Sequence, residues 1–174
     1  MYIIEALLLL FLQVLFPIDP IPAAAPLSQT EVLSASRSAH LVTRVVDGDT
    51  LKVSSGDGVL TVRVIGINTP ETVDPRKAVE CYGKEASEKM RSLVENQRVI
   101  LTNDLSQSEQ DRYGRLLRYV ELTDGTDVGL TLIQEGFAHE YTYNSPYARQ
   151  QFYRAAQKSA QDDSLGFWSS SACN

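Results

Sequence analysis

The feature that most narrows the folds open to this chain is a pair of β-branched runs, residues 50–53 and 59–65. Only Ser54-Ser55-Gly56-Asp57-Gly58 separates them. So short a connection, with Gly and Asp at its centre, makes the two runs an antiparallel hairpin. A third run precedes them at 41–46, and two more follow at 98–102 and 116–122. Between the third and fourth runs, "YGKEASEKMRSLVEN" places Ala86, Met90, Leu93 and Val94 on one helical face. A short helix is expected over 128–135, stopped by Gly136. A last helix is expected to open with Ser145 as N-cap and Pro146 in its first turn, and to bury Phe152, Ala155, Ala156 and Ser159. Periodicity alone gives an α+β class with a small barrel or sandwich. Five strands with one helix between the third and fourth is the element order of an OB-fold barrel.

The first residues, "MYIIEALLLLFLQVLFPI", hold only Glu5 and Gln13 as strongly polar side chains. Residues 1–25 therefore read as a secretory signal peptide or an uncleaved N-terminal membrane anchor, and either puts the protein outside the cytosol or on a membrane. Prolines at 17, 20, 22 and 26 and the polar run 28–38 mark a flexible linker, assigned to 26–39. The folded domain is then 40–174. Cys81 and Cys173 are the only cysteines, too few to make a tetrahedral metal site. In an exported chain they suit a disulfide; two separate buried thiols are the alternative. The net charge of −6 argues against a general polyanion binder.

Several stretches carry chemistry that no core requires. "VVDGDTLKV" sets Asp47 and Asp49 around Gly48, either as a turn between strands or as hard oxygen donors for one cation. In "RVIGINTPET" a guanidinium, Arg63, sits inside a hydrophobic strand. The same unit ends in Asn68, Thr69, Pro70 and Glu71, offering an amide oxygen, a backbone carbonyl and a carboxylate. "DRYGR" supplies a second guanidinium, Arg115, at a strand start. Two such forks from two strands can grip a phosphodiester. In "HEYTYNSPY", Tyr141 and Tyr143 share a face, for stacking a base or for packing the barrel. His40 and His139 have no partner identifiable from sequence.

Taken in order, "VVDGDTLKV", "RVIGINTPET", "ECYGKEAS", "DRYGR", "GFAHEYTY" and "LGFW" resemble the staphylococcal nuclease (thermonuclease) family from about Val42 to Trp168. The resemblance implies a five-stranded OB-fold barrel with three helices and a calcium-dependent phosphodiesterase acting on DNA and RNA, leaving 3′-phosphate ends. It implies Asp49, Asn68 and the Thr69 carbonyl as Ca2+ ligands, with Asp47 nearby. Arg63 and Arg115 fall on the phosphate-binding pair, and Glu71 on the residue proposed to activate water. Lys77, Arg112, Tyr113, Tyr141 and Tyr143 fall at or near positions lining the nucleotide site. Asn68 departs from the family's well-known aspartate, which removes one negative charge and predicts a weak calcium site. Single-stranded nucleic acid is the expected substrate and a monomer the expected state. A catalytically silent barrel that binds nucleic acid or protein is the competing class, and silent copies are expected to lose the arginine and glutamate positions that remain here.

Overall fold

The computed structural model describes residues 38–56, 58–72 and 78–173. The leader, nearly all of the linker and Lys77 lie outside the described residues. Strands β1 (Ala39–Val45), β2 (Thr50–Ser55) and β3 (Gly58–Val64) form an antiparallel meander, and Ser55 pairs with Gly58 at the hairpin end. Strand β4 is the two-residue Ile67–Asn68; β5 (Arg98–Thr102) and β6 (Leu116–Leu122) follow. The order β1-β2-β3-β6-β5 closes into a barrel, because β1 pairs with β2 and also with β5. An irregularity in register between Val42 and Arg44 lets one strand serve both neighbours. Only the β3–β6 pairing is parallel among these contacts.

The inside of the barrel is aliphatic. Val42, Val45, Leu51, Val53, Val62, Val64, Val99 and Val120 are all buried; two-residue alternation sets Leu51 with Val53 and Val62 with Val64, whereas Val42 and Val45 lie three apart across the irregularity in β1. Helix α1 (Gly83–Val94) buries Ala86, Met90 and Val94, as its spacing predicts. Helix α2 (Val128–Gln134) is capped by Asp127, whose carboxylate accepts from the Leu130 N–H at 3.0 Å. The fold is thus the five-stranded barrel with three helices. No helix of the described residues is long and apolar enough to cross a membrane.

The last helix differs from expectation. Helix α3 runs Gln150–Asp162, and its buried residues are Tyr153, Ala156 and Ala160. Phe152 is 71% exposed, and Ala155 and Ser159 are exposed too. Ser145 and Pro146 are not a cap, because their carbonyls accept from the Gln107 amide at 3.2 Å each. The chain at 145–148 is held across to another loop, so the helix starts later and its apolar face turns. Tyr153 fills that face, with its hydroxyl bonded to Asp127.

Two features have no strong periodic signal. Strand β4 pairs with β7 (His139–Glu140) in a second, two-stranded sheet. Residues Gly166–Trp168 form a 3-10 turn, where the Phe167 and Trp168 rings lie 4.3 and 5.2 Å from the His139 ring. Cys81 and Cys173 form a disulfide with Cα atoms 5.7 Å apart.

Candidate active site

Strand β3 explains the guanidinium in its midst. Val62 and Val64 point inward, so Arg63 between them points out of the barrel. Its side chain is only 12% exposed. One terminal nitrogen donates to the carbonyls of Val64 at 2.7 Å and Ile67 at 2.8 Å. The other pairs with Asp49 Oδ2 at 3.0 Å and donates to Asn68 Oδ1 at 3.2 Å. Main-chain acceptors thus fix the plane of the fork, and acidic or amide oxygens take its other edge.

Asp49 reaches Arg63 because Thr50 and Arg63 are register partners in the β2–β3 ladder. The turn Asp47-Gly48-Asp49 packs against Thr69 so closely that a Cβ on Gly48 would fall 2.7 Å from the threonine side chain. In return the Thr69 N–H donates to Asp49 Oδ2 at 3.2 Å, and the Thr50 hydroxyl donates to Oδ1 at 2.9 Å. The Asp47 carboxylate accepts from the Asp49 N–H at 3.1 Å. Burial, and then the negative charge of Asp49, push the Asp47 carboxyl up to about 6.

Arg115 arrives from the neighbouring strand, just ahead of β6. The parallel β3–β6 pairing matches Arg63 with Leu117, so the residue two before Leu117 sits at the same rim. Asp111 shapes the turn that delivers it: one carboxylate oxygen accepts from the Tyr113 and Arg115 N–H groups at 2.9 and 3.0 Å, the other from Arg115 Nε at 2.6 Å. Burial works against the Asp111 carboxylate, but those hydrogen bonds outweigh it and hold its carboxyl below the usual range. Arg115 then donates to the Thr50 hydroxyl at 3.2 Å. The two guanidiniums are therefore joined by a chain of contacts: Arg115, Thr50, Asp49, Arg63.

Around this chain opens a cleft of about 600 Å³. Its lining includes Asp47, Asp49, Arg63, Asn68, Thr69, Glu71, Arg112, Tyr113, Arg115, Tyr141 and Tyr143. All eleven described residues singled out in the sequence therefore meet in one place. The Glu71 carboxylate accepts from the Thr72 N–H at 2.9 Å. The Arg112 guanidinium lies 4.8 Å from the Tyr113 ring centre and donates to its hydroxyl at 2.7 Å. The Tyr141 and Tyr143 rings are 6.3 Å apart and inclined at 47°. Their segment is hung from the barrel by the Tyr141 N–H, which donates to the Gly66 carbonyl at 2.9 Å. Among the described residues, no group of three or more His, Cys, Asp and Glu gathers as a metal cluster.

The family model described as staphylococcal nuclease homologue matches residues 61–170. The chain is 38% identical over 147 residues to a thermonuclease of Staphylococcus hyicus, a match covering 84% of this chain and 85% of the relative. The chain belongs to the staphylococcal nuclease family. It is also 39% identical to a thermonuclease of Staphylococcus intermedius, over 81% of this chain and 80% of that one. Endonuclease YncB of Bacillus subtilis strain 168 is 39% identical over 131 residues, spanning 74% of this chain but 60% of the relative.

Within this staphylococcal nuclease family member, Asn68 has a defined place. It occupies β4, with its amide oxygen turned to Arg63 and its amide nitrogen 3.4 Å from the Thr69 carbonyl oxygen. Two contributors were not singled out from sequence, Thr50 and Asp111. Thr50 looked like one more β-branched strand residue. Asp111 lies four residues before Arg115 and three before Gly114, spacing that does suit a turn-forming carboxylate.

Proposed function

We propose that this staphylococcal nuclease family member is a calcium-dependent nuclease that hydrolyses DNA and RNA outside the cytosol. Membership of the family makes it a hydrolase of phosphodiester bonds. The observation that carries the finer reading is the linked pair of guanidiniums facing the same cleft as Glu71.

The oxygen set at the cleft suits a hard divalent cation. Asp47 and Asp49 present two carboxylates against the single charge of Arg63, and burial first, then the charge of Asp49, raises the Asp47 carboxyl. Asp49, Asn68, the Thr69 carbonyl and Asp47 would hold calcium, an ion that accepts neutral and charged oxygens alike. When bound, it supplies neutralisation and polarisation of a phosphate oxygen. Arg63 and Arg115 come pre-oriented by Val64, Ile67 and Asp111, so little reorganisation is spent as charge grows on the phosphoryl oxygens. Glu71 takes the proton of the attacking water. Release of the 5′-oxygen, leaving a 3′-phosphate, follows from the resemblance.

Tyr113 with Arg112, and Tyr141 with Tyr143, offer ring faces to bases on either side of the scissile linkage. Export through the 1–25 segment, with 26–39 as a linker ahead of the domain, agrees with a chain whose only two cysteines are joined.

The deciding experiment is digestion of plasmid DNA and of RNA with calcium or with chelator, using the native chain and Glu71→Ala side by side. Chelator is expected to abolish cutting, and the variant to lose about 10²–10⁴ in kcat. Cutting that survives chelation, or a fully active variant, overturns the mechanism.

A further inference from the structure

Glu71 and Glu80 are nine positions apart, yet they are bonded in both directions. The Glu71 N–H donates to Glu80 Oε2 at 3.0 Å, and the Glu80 N–H donates to the Glu71 carbonyl at 2.9 Å. The next residue is Cys81, whose sulfur is joined to Cys173 at the other end of the domain sequence. Then comes α1, which begins at Gly83, pressed against the same backbone. A Cβ there would fall 2.6 Å from the Thr72 methyl, 3.0 Å from the Pro70 oxygen and 3.3 Å from the Glu71 oxygen. The residues flanking Glu71 are thus clamped to the segment 80–83, and the disulfide pins that segment to the C-terminal tail. The tail is itself packed through Phe167, 6.1 Å from the Tyr82 ring.

We propose that Glu80 and the Cys81–Cys173 disulfide are positioning groups for Glu71, so that full turnover requires the oxidised chain. The inference rests on the reading of Glu71 as the base. A carboxylate that must meet one water beside one phosphorus tolerates little displacement; about 1 Å can cost 10²-fold. The two-way bond fixes the backbone of Glu71 in depth and direction, and the disulfide fixes the irregular segment ahead of α1 from which Glu80 reaches. Both sulfurs belong to exposed residues, open to exchange with solution thiols. Before the bond forms, the nuclease is held at a low rate; in an oxidising compartment it is released. The bond arises when the two thiols pass two electrons and two protons to an acceptor disulfide, which leaves as two thiols. Dithiothreitol runs the exchange backwards and ends as its own cyclic disulfide.

The test uses the full oxidised chain with saturating calcium and single-stranded DNA. Turnover is measured before and after dithiothreitol, at a temperature where circular dichroism shows the reduced chain folded, and again after reoxidation. Reduction is expected to lower kcat about tenfold or more, with KM within about twofold, and reoxidation to restore it. Glu80→Ala is expected to reproduce the loss, whereas Glu80→Gln, whose amide oxygen still accepts from the Glu71 N–H, retains most of the rate. In a Glu71→Gln background, reduction is expected to leave the residual rate unchanged. A folded, reduced chain at full kcat, or an unaffected Glu80→Ala, overturns the proposal. A Glu71→Gln chain at full rate would instead remove the base assignment itself.

Discussion

Arg63 and Arg115 resemble each other in sequence and differ in how they are held. Arg63 is tied to two carbonyls, to Asp49 and to Asn68; Arg115 rests on the carboxylate of Asp111. Lysine has one compact ammonium and can reproduce neither fork. Arg115→Lys is expected to lower kcat by about 10²–10³ while the circular dichroism melt hardly moves, as judged by steady-state kinetics on single-stranded DNA. A loss under threefold would take Arg115 out of the chemistry. Asn68 supplies a second prediction at this scale. Asn68→Asp adds a negative charge beside Asp49, with Arg63 still in reach as its partner. Calcium affinity, measured by titration calorimetry, is expected to rise about tenfold, roughly 1.4 kcal/mol. Arg63 stood out in the sequence because a guanidinium does not belong inside a hydrophobic strand, whereas the loop residue Glu71 was given its role only by the family resemblance. Thr50 did not stand out, since its role exists only once β2 and the turn before β6, 65 positions apart, lie side by side.

Elements are joined at the cleft by loops, and one buried carboxylate holds two of them. Asp104, 7% exposed, accepts from the Ala148 N–H at 2.7 Å, from the Ser106 N–H and hydroxyl at 2.9 and 2.7 Å, and from the Tyr119 hydroxyl. Burial pushes its carboxyl up, but these four donors prevail and set it down at about 2. A folded value below the unfolded one, near 3.8, means that the unfolded chain binds protons first as pH falls. The stabilisation is therefore whole above about pH 4 and drains away as pH approaches 2. Urea melts at pH 7, 4 and 2.5 are expected to show Asp104→Asn weaker by about 2 kcal/mol at pH 7, with the gap narrowing at the lowest pH. A constant gap would mean that hydrogen-bond shape, not ionisation, sets the effect. This joint is also why α3 was misjudged from sequence. Ser145-Pro146 has the composition of a helix start, but contacts with Gln107, Ser106 and Asp104 claim that stretch, and helix geometry begins only at Gln150. Strands β4 and β7 escaped for another reason. Two residues are too few to display any period, and only their pairing makes them strands.

At the scale of the whole molecule the question is which form of nucleic acid this cleft admits. About 600 Å³ is the volume of a small-ligand pocket, suited to a nucleotide or two and far too small to enclose a double helix. The ring faces are not parallel, with Tyr141 and Tyr143 inclined at 47°, so each suits a base already out of its stack. A net charge of −6 adds no long-range attraction to hold a duplex while its bases open. Cutting of duplex DNA therefore has to include an unstacking cost of a few kcal/mol per base, which a single strand largely avoids. Single-stranded DNA is expected to be cut at least about tenfold faster than a duplex of the same sequence at equal salt. The gap should close when the duplex carries a mismatch or sits near its melting temperature. Tyr143→Ala is expected to raise KM for the single strand several-fold and to shrink the preference if exposed Tyr143 stacks on a base, as proposed. Parallel rate measurements on the two substrates at two salt concentrations decide the matter. Equal rates on both, with or without the tyrosine, would mean that the bases are not drawn into the cleft and that the enzyme grips the backbone alone.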